Sequence, residues 1–141
     1  MFAMMAALIE FHSRHKLWIM SHSVELARQM GKLVAQTGVL PAAELFDQCQ
    51  QLLMKAARLA ASPARHVNVL QHALGYFKHQ LCADEKQEIL ELSDQYRRGV
   101  MPLSVPIWLL NHYVRKYRPA YLDEQVYLHP HPVELHLRTG L

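Results

Sequence analysis

The chain has 141 residues, 51% of them hydrophobic and 19% charged, with ten histidines, two cysteines and a formal net charge of +3. That length suits one domain, 1–141, around a single moderate core, and the apolar content excludes a disordered chain. Two cysteines exclude a four-cysteine zinc or iron–sulfur site and a disulfide framework; they suit a reducing, cytoplasmic setting.

The opening MFAMMAALIEF is apolar, but Glu10 interrupts it and His12, Arg14, His15 and Lys16 follow at once. A signal peptide carries its charges before the apolar run, and this run is too short to cross a membrane. Leu8, Phe11, His15 and Trp18 fall on one face of a first helix, with Glu10 and Arg14 as an i,i+4 pair. Residues 4–35 read either as one kinked helix or as two, the second capped by Ser21 or Ser23. Gly38 and Pro41 then mark a break.

Over about 42–60, Leu45, Cys49, Leu52, Ala56 and Leu59 make an apolar stripe that places Cys49 as a buried structural thiol. Ser62-Pro63 permits a new helix over about 64–80, with Val67, Leu70, Leu74, Phe77 and Leu81 as its seam. The next helix, about 84–98, opens on acids and ends in Arg97-Arg98-Gly99, the signs and the stop that the helix dipole favours. A further helix runs from near Ser104 to about Tyr117, with Leu103, Ile107, Leu110, Val114 and Tyr117 facing the core, and Pro119 stops it. The final YLDEQVYLHPHPVELHLRTGL reads as a mostly non-helical tail. No strand alternation or repeat occurs, so the expected fold is all-α: a bundle or orthogonal array of about six helices with an extended C-terminal segment.

Three groups of residues carry functional information. Arg65, Asn68, His72, Tyr76 and His79 fall within roughly 80° of one another on a helical wheel, opposite the apolar seam. This face has hydrogen-bonding and aromatic groups but no acid, and Gly75 within it suggests close backbone approach. It suits a groove for an anion or nucleotide, or a polar network between helices. A second group is Arg14, His15 and Lys16 on the first helix. The third is Arg97, Arg98, Arg115, Lys116 and Arg118, a run of bases without acids after the acidic block Asp84 to Asp94. Tyr96, Tyr113, Tyr117 and Tyr121 interleave with that charge, which suits base stacking or core packing.

Catalytic and metal chemistries find less support. No G-x-S-x-G elbow, glycine-rich phosphate loop, HExxH pattern or paired carboxylates occur. His12 with His15, and His129-Pro130-His131 with His136, have no completing ligands. Cys82, near Lys78 and Lys86, is a weak nucleophile signal. No catalytic residue, metal or cofactor is expected.

FHSRHKLWIMSHS at 11–23, RHVNVLQHALGYFKHQL at 65–81, DEKQEILELSDQYRRGVMPLSVPIWLLNHYVRKY at 84–117 and YLDEQVYLHPHPVEL at 121–135 resemble the YbgA-type family, in order and over nearly the whole chain. That family is a helical domain of unknown function, found alone or fused behind a cysteine-rich thiouracil or thiouridine desulfidase domain. The resemblance implies a role in engaging tRNA, with Arg14, His15, Lys16, Arg65, Asn68, His72, Tyr76, Arg97 and Arg98 at the matching motif positions. It also implies a separate desulfidase-type enzyme as a partner. Desulfidase chemistry itself does not transfer, because the cysteine-rich domain is missing from this sequence.

The leading expectation is a helical RNA-binding or accessory domain with a basic and aromatic groove and no membrane partner. One alternative is an enzyme or small-ligand binder with a pocket around His15, His72 and His79. Another is a protein-interaction module that docks through exposed Tyr121, Tyr127 and Leu128.

Overall fold

Ser23 decides how the first third of the chain folds. Its extended backbone ends helix α1 (Phe2–His22), and its hydroxyl accepts from the Leu26 N–H at 3.1 Å to start α2 (Val24–Val34). The computed structural model describes residues 2–129. Residues 4–35 are therefore two helices joined by one residue. Gly38, at φ +90°, turns the chain into α3 (Ala42–Arg58).

Ser62 caps α4 (Pro63–Leu74) through the Arg65 N–H at 3.2 Å. The expected continuation to residue 80 does not occur. α4 gives way to a 3-10 turn at Gly75–Phe77, and Lys78 then takes a left-handed φ of 54°. Gly75 marks this change of winding rather than a close approach, since a Cβ there would meet nothing within 4 Å. α5 (Ala83–Arg97) ends at Gly99, φ +80°, as the Arg-Arg-Gly stop predicts. α6 (Ser104–Tyr117) ends where Arg118 turns left-handed before Pro119.

The last described stretch differs most from expectation. Instead of an extended tail, it forms a short helix α7 (Ala120–Asp123) and a 3-10 turn at Val126–Leu128. Leu122 and Tyr127 are fully buried, and Leu128 is nearly so. The expected docking element is thus part of the core, and Tyr121 packs against that core as well. Residues 130–141, including His131 and His136, lie outside the described residues.

All the described elements are helical or turn, so the chain is all-α. α1 packs against α2, α3 and α4, α5 lies on α4, α6 on α5, and the Val126–Leu128 turn returns to α1. This central position explains why the expected stripe on α1 is incomplete. Leu8 is buried, but Phe11 is exposed, while Leu17, Ile19, Met20 and Ser21 are all buried because neighbours surround that half of the helix. On α3, Leu45, Cys49 and Ala56 are buried as expected, whereas Leu59 lies at the helix end and is exposed.

Two polar contacts fasten the C-terminal turn to this core. Gln125, 1% exposed, donates from Nε2 to the Ser13 carbonyl at 2.6 Å and accepts at Oε1 from the Leu17 N–H at 3.3 Å. The Tyr127 hydroxyl lies 2.6 Å from Nδ1 of buried His66 on α4. Buried polar groups placed this way fix register as well as contribute stability.

Candidate nucleic-acid interface

Antiparallel packing of α5 and α6 redistributes the basic run 97–118. Glu85, in the first turn of α5, accepts from the Tyr117 hydroxyl at 2.6 Å and from Lys116 Nζ at 3.3 Å, both in the last turn of α6. The end of α6 therefore lies beside the start of α5. Arg97 and Arg98 sit twelve or more residues further along α5, roughly 18 Å away at 1.5 Å per residue. The C-terminal ends of α5 and α6 therefore do not meet, and the run of bases divides into two groups. Asp94 holds both Arg97 and Arg98 at 2.6 Å.

Lys116 is tied to Glu85, whose carboxyl is held down at about 2 by hydrogen bonds from Tyr117 and the Cys82 backbone, with Lys116 adding to the effect. Arg115 is exposed on the outer side of α6. Tyr113 is buried, and Tyr96, Tyr117 and Tyr121 pack on the core, so the interleaved tyrosines are chiefly packing groups.

The α4 face is shortened for the reason already given. Arg65, Asn68 and His72 are exposed on α4, Tyr76 is half-buried in the following turn, and His79 lies beyond Lys78, off the helix. Arg65 donates to the Ala60 carbonyl at 2.9 Å. Tyr76 stacks on Tyr121 with ring centroids 4.2 Å apart and makes a T-shaped contact with His72, centroids 5.8 Å apart. His72 thus stands on an aromatic base.

The three histidines of the alternative pocket do not converge. His15 stacks on Phe11 at 4.0 Å and lines an apolar depression with Trp18, Leu53, Met54 and Val126. His72 belongs to a different depression, and His79 to neither. Arg14 pairs with Glu10 at 3.7 Å on the surface. Among the described residues, no three His, Cys, Asp or Glu side chains gather as a metal site.

The depression that holds His72 is the strongest site. It is a groove of about 450 Å³ between α1 and α2, with α4 at its side. His12, Lys16 and Met20 come from α1 at successive turns, Arg28, Gly31 and Lys32 from α2, and His72 from α4. No carboxylate lines it. Arg28 is engaged at 2.7 Å by Glu25, three residues earlier on α2.

The His12 ring packs against Gly31, where a Cβ would stand 3.8 Å from both Cε1 and Nε2. His12 Nε2 is buried without a hydrogen-bond partner. Burial first, and Lys16 second, pull the His12 pKa below its ordinary value. Of the groove's residues, only Lys16 and His72 were sequence candidates. His12, Arg28 and Lys32 become visible once α1 and α2 are folded against each other, because His12/Lys16 and Arg28/Lys32 are both i,i+4 pairs.

Residues 16–132 match the family model described as "Protein of unknown function (DUF1722)". The chain belongs to this family. It is similar to "Uncharacterized protein YbgA" of Escherichia coli (strain K12), with 35% identity over 133 residues that cover 94% of this chain and 79% of the relative. No solved structure matches the chain. The matched region contains Lys16, α2 and α4, and so spans most of the groove.

Proposed function

We propose that this domain binds nucleic acid, engaging structured RNA such as tRNA, and serves as an accessory to a separate desulfidase-type enzyme. The observation that carries the RNA reading is the carboxylate-free groove of Lys16, Arg28, Lys32, His12 and His72, with Arg65 and Asn68 exposed on α4, the helix that supplies His72. A ribose–phosphate backbone is polyanionic, and such a groove offers it cations, imidazole donors and an amide able to reach a sugar or base edge. The desulfidase partner follows from the family resemblance alone.

Titration of the protein against tRNA at several salt concentrations tests this reading. Affinity should fall linearly on a log–log plot, with each neutralised phosphate contributing about 0.7–0.9 to the slope. Absence of binding at low salt, or binding indifferent to salt, would overturn it. No membrane is involved in the proposal, and no described helix is long and apolar enough to cross one.

A further inference from the structure

We infer that the His12 end of the α1–α2 groove is a phosphomonoester site, in which His12, Lys16 and Lys32 hold a terminal phosphate rather than a backbone diester. The inference rests on the reading of this groove as phosphate-binding and adds the chemical class of the group it selects.

His12 Nε2 supplies the first argument. It is buried against α2 and unpartnered in a residue that lines the groove, so a ligand oxygen reaches it once the ring turns outward. A buried polar atom without a partner is unfavourable, and a ligand acceptor would satisfy it. A ring carrying its proton on Nε2 can donate whether neutral or cationic.

Charge supplies the second. Lys16 follows His12 by one turn, and Lys32 adjoins Gly31, against which the His12 ring packs. No ion pair forms at either lysine among the described residues. Arg28 already has Glu25, whose charge also reaches Lys32, so the groove cations outside any ion pair among the described residues are the two lysines. A monoester carries nearly two charges at neutral pH and three acceptor oxygens, whereas a diester carries one charge and two free oxygens. Two lysines and one imidazole donor match the monoester.

Protonation follows the same logic. Lys16 acts on His12 from its own helix, and the other charged or titratable residues that line the groove are Arg28 and Lys32 on α2 and His72 on α4; no acid lines it, Glu25 being bound to Arg28. A bound dianion would stabilise an imidazolium at His12. His12 then takes up a proton on binding, and affinity rises as pH falls through neutrality, as far as the phosphate itself remains a dianion.

A 5′-phosphorylated RNA end and free phosphate share this chemistry, and the test separates them. Binding of a short RNA hairpin with a 5′-phosphate is compared with the same hairpin carrying a 5′-hydroxyl, by fluorescence anisotropy. Inorganic phosphate alone is followed through the His12 ring signals by NMR. The phosphorylated hairpin should bind at least about tenfold more tightly. His12→Gln and, independently, the surface change Lys16→Gln should each abolish that difference, with the fold of each variant checked by circular dichroism. Equal affinity for the two hairpins, with no effect of inorganic phosphate, overturns the phosphomonoester site and leaves the RNA reading standing. A His12 response to inorganic phosphate without binding of either hairpin supports the site, assigns it to free phosphate or a small monoester, and overturns the RNA reading. No response in any arm overturns both.

Discussion

Replacing Gln125 with leucine tests whether the C-terminal turn holds the central helix. The Gln125 amide joins the Ser13 carbonyl, at 2.6 Å, and the Leu17 N–H, at 3.3 Å. In a regular α-helix, those two backbone groups are partners of each other. Leucine keeps most of the side-chain volume, so the change removes polar contacts rather than opening a large cavity. Two hydrogen bonds at about 1 kcal/mol each give an expected loss of about 2 kcal/mol, with more if both backbone groups stay buried and unpaired. Urea denaturation should therefore show a lower midpoint at unchanged m, and Tm should fall by roughly 6–8 °C for a domain of this size. A loss below about 0.5 kcal/mol would refute the reasoning, because it would mean that α1 pairs Ser13 with Leu17 once the glutamine is gone.

Tyr127→Phe removes the hydroxyl that sits 2.6 Å from His66 Nδ1 in the core and should destabilise by about 1 kcal/mol in the same assay. Glu85 has its carboxyl held at about 2 against an ordinary 4.5, so its contribution to stability is present above about 4.5 and is lost as pH falls toward about 2. Acid unfolding followed by circular dichroism should become shallower over that window in Glu85→Gln. In RNA titrations, Lys16→Gln and Lys32→Gln should each lower the salt slope by about 0.7–0.9. Arg97→Gln and Arg98→Gln should leave it unchanged, because Asp94 already holds both guanidinium groups.

Local chemistry was legible wherever one residue decides the backbone. The helix start at Ser62-Pro63, the stop at Gly99 and the end of α6 before Pro119 follow from the preferences of single residues, and of the two cap candidates Ser21 and Ser23 the fold uses Ser23. Periodicity was less reliable where neighbours surround a helix. On α1, the Leu8–Phe11–His15–Trp18 face is correct in spacing, but α1 packs against α2, α3 and α4, and Leu17, Ile19, Met20 and Ser21 are buried off that face. The C-terminal segment misled for another reason: its helical pieces span four and three residues, too short for any period to register. The basic run 97–118 could not be judged at all without the direction of packing. Contiguity in sequence became separation in space when α6 ran back along α5, while His12 and Lys32, twenty residues apart, came to line one groove.

The C-terminal turn has a bearing on that groove. None of residues 120–129 lines it, so the described part of the segment does not cover it. Instead, the segment reaches α1, one wall of the groove, and the turn after α4 beside His72. Gln125 holds α1 at Ser13 and Leu17, on either side of Lys16 and within five residues of His12. Tyr121 stacks on Tyr76, which in turn meets His72 in a T-shaped contact. A groove assembled from three helices can present donors to a phosphate at little entropic cost only if those helices keep their spacing without the ligand. The segment that looked from sequence like a free docking arm supplies that constraint, and its buried tyrosine and glutamine are better understood as supports for the site than as contacts with a partner.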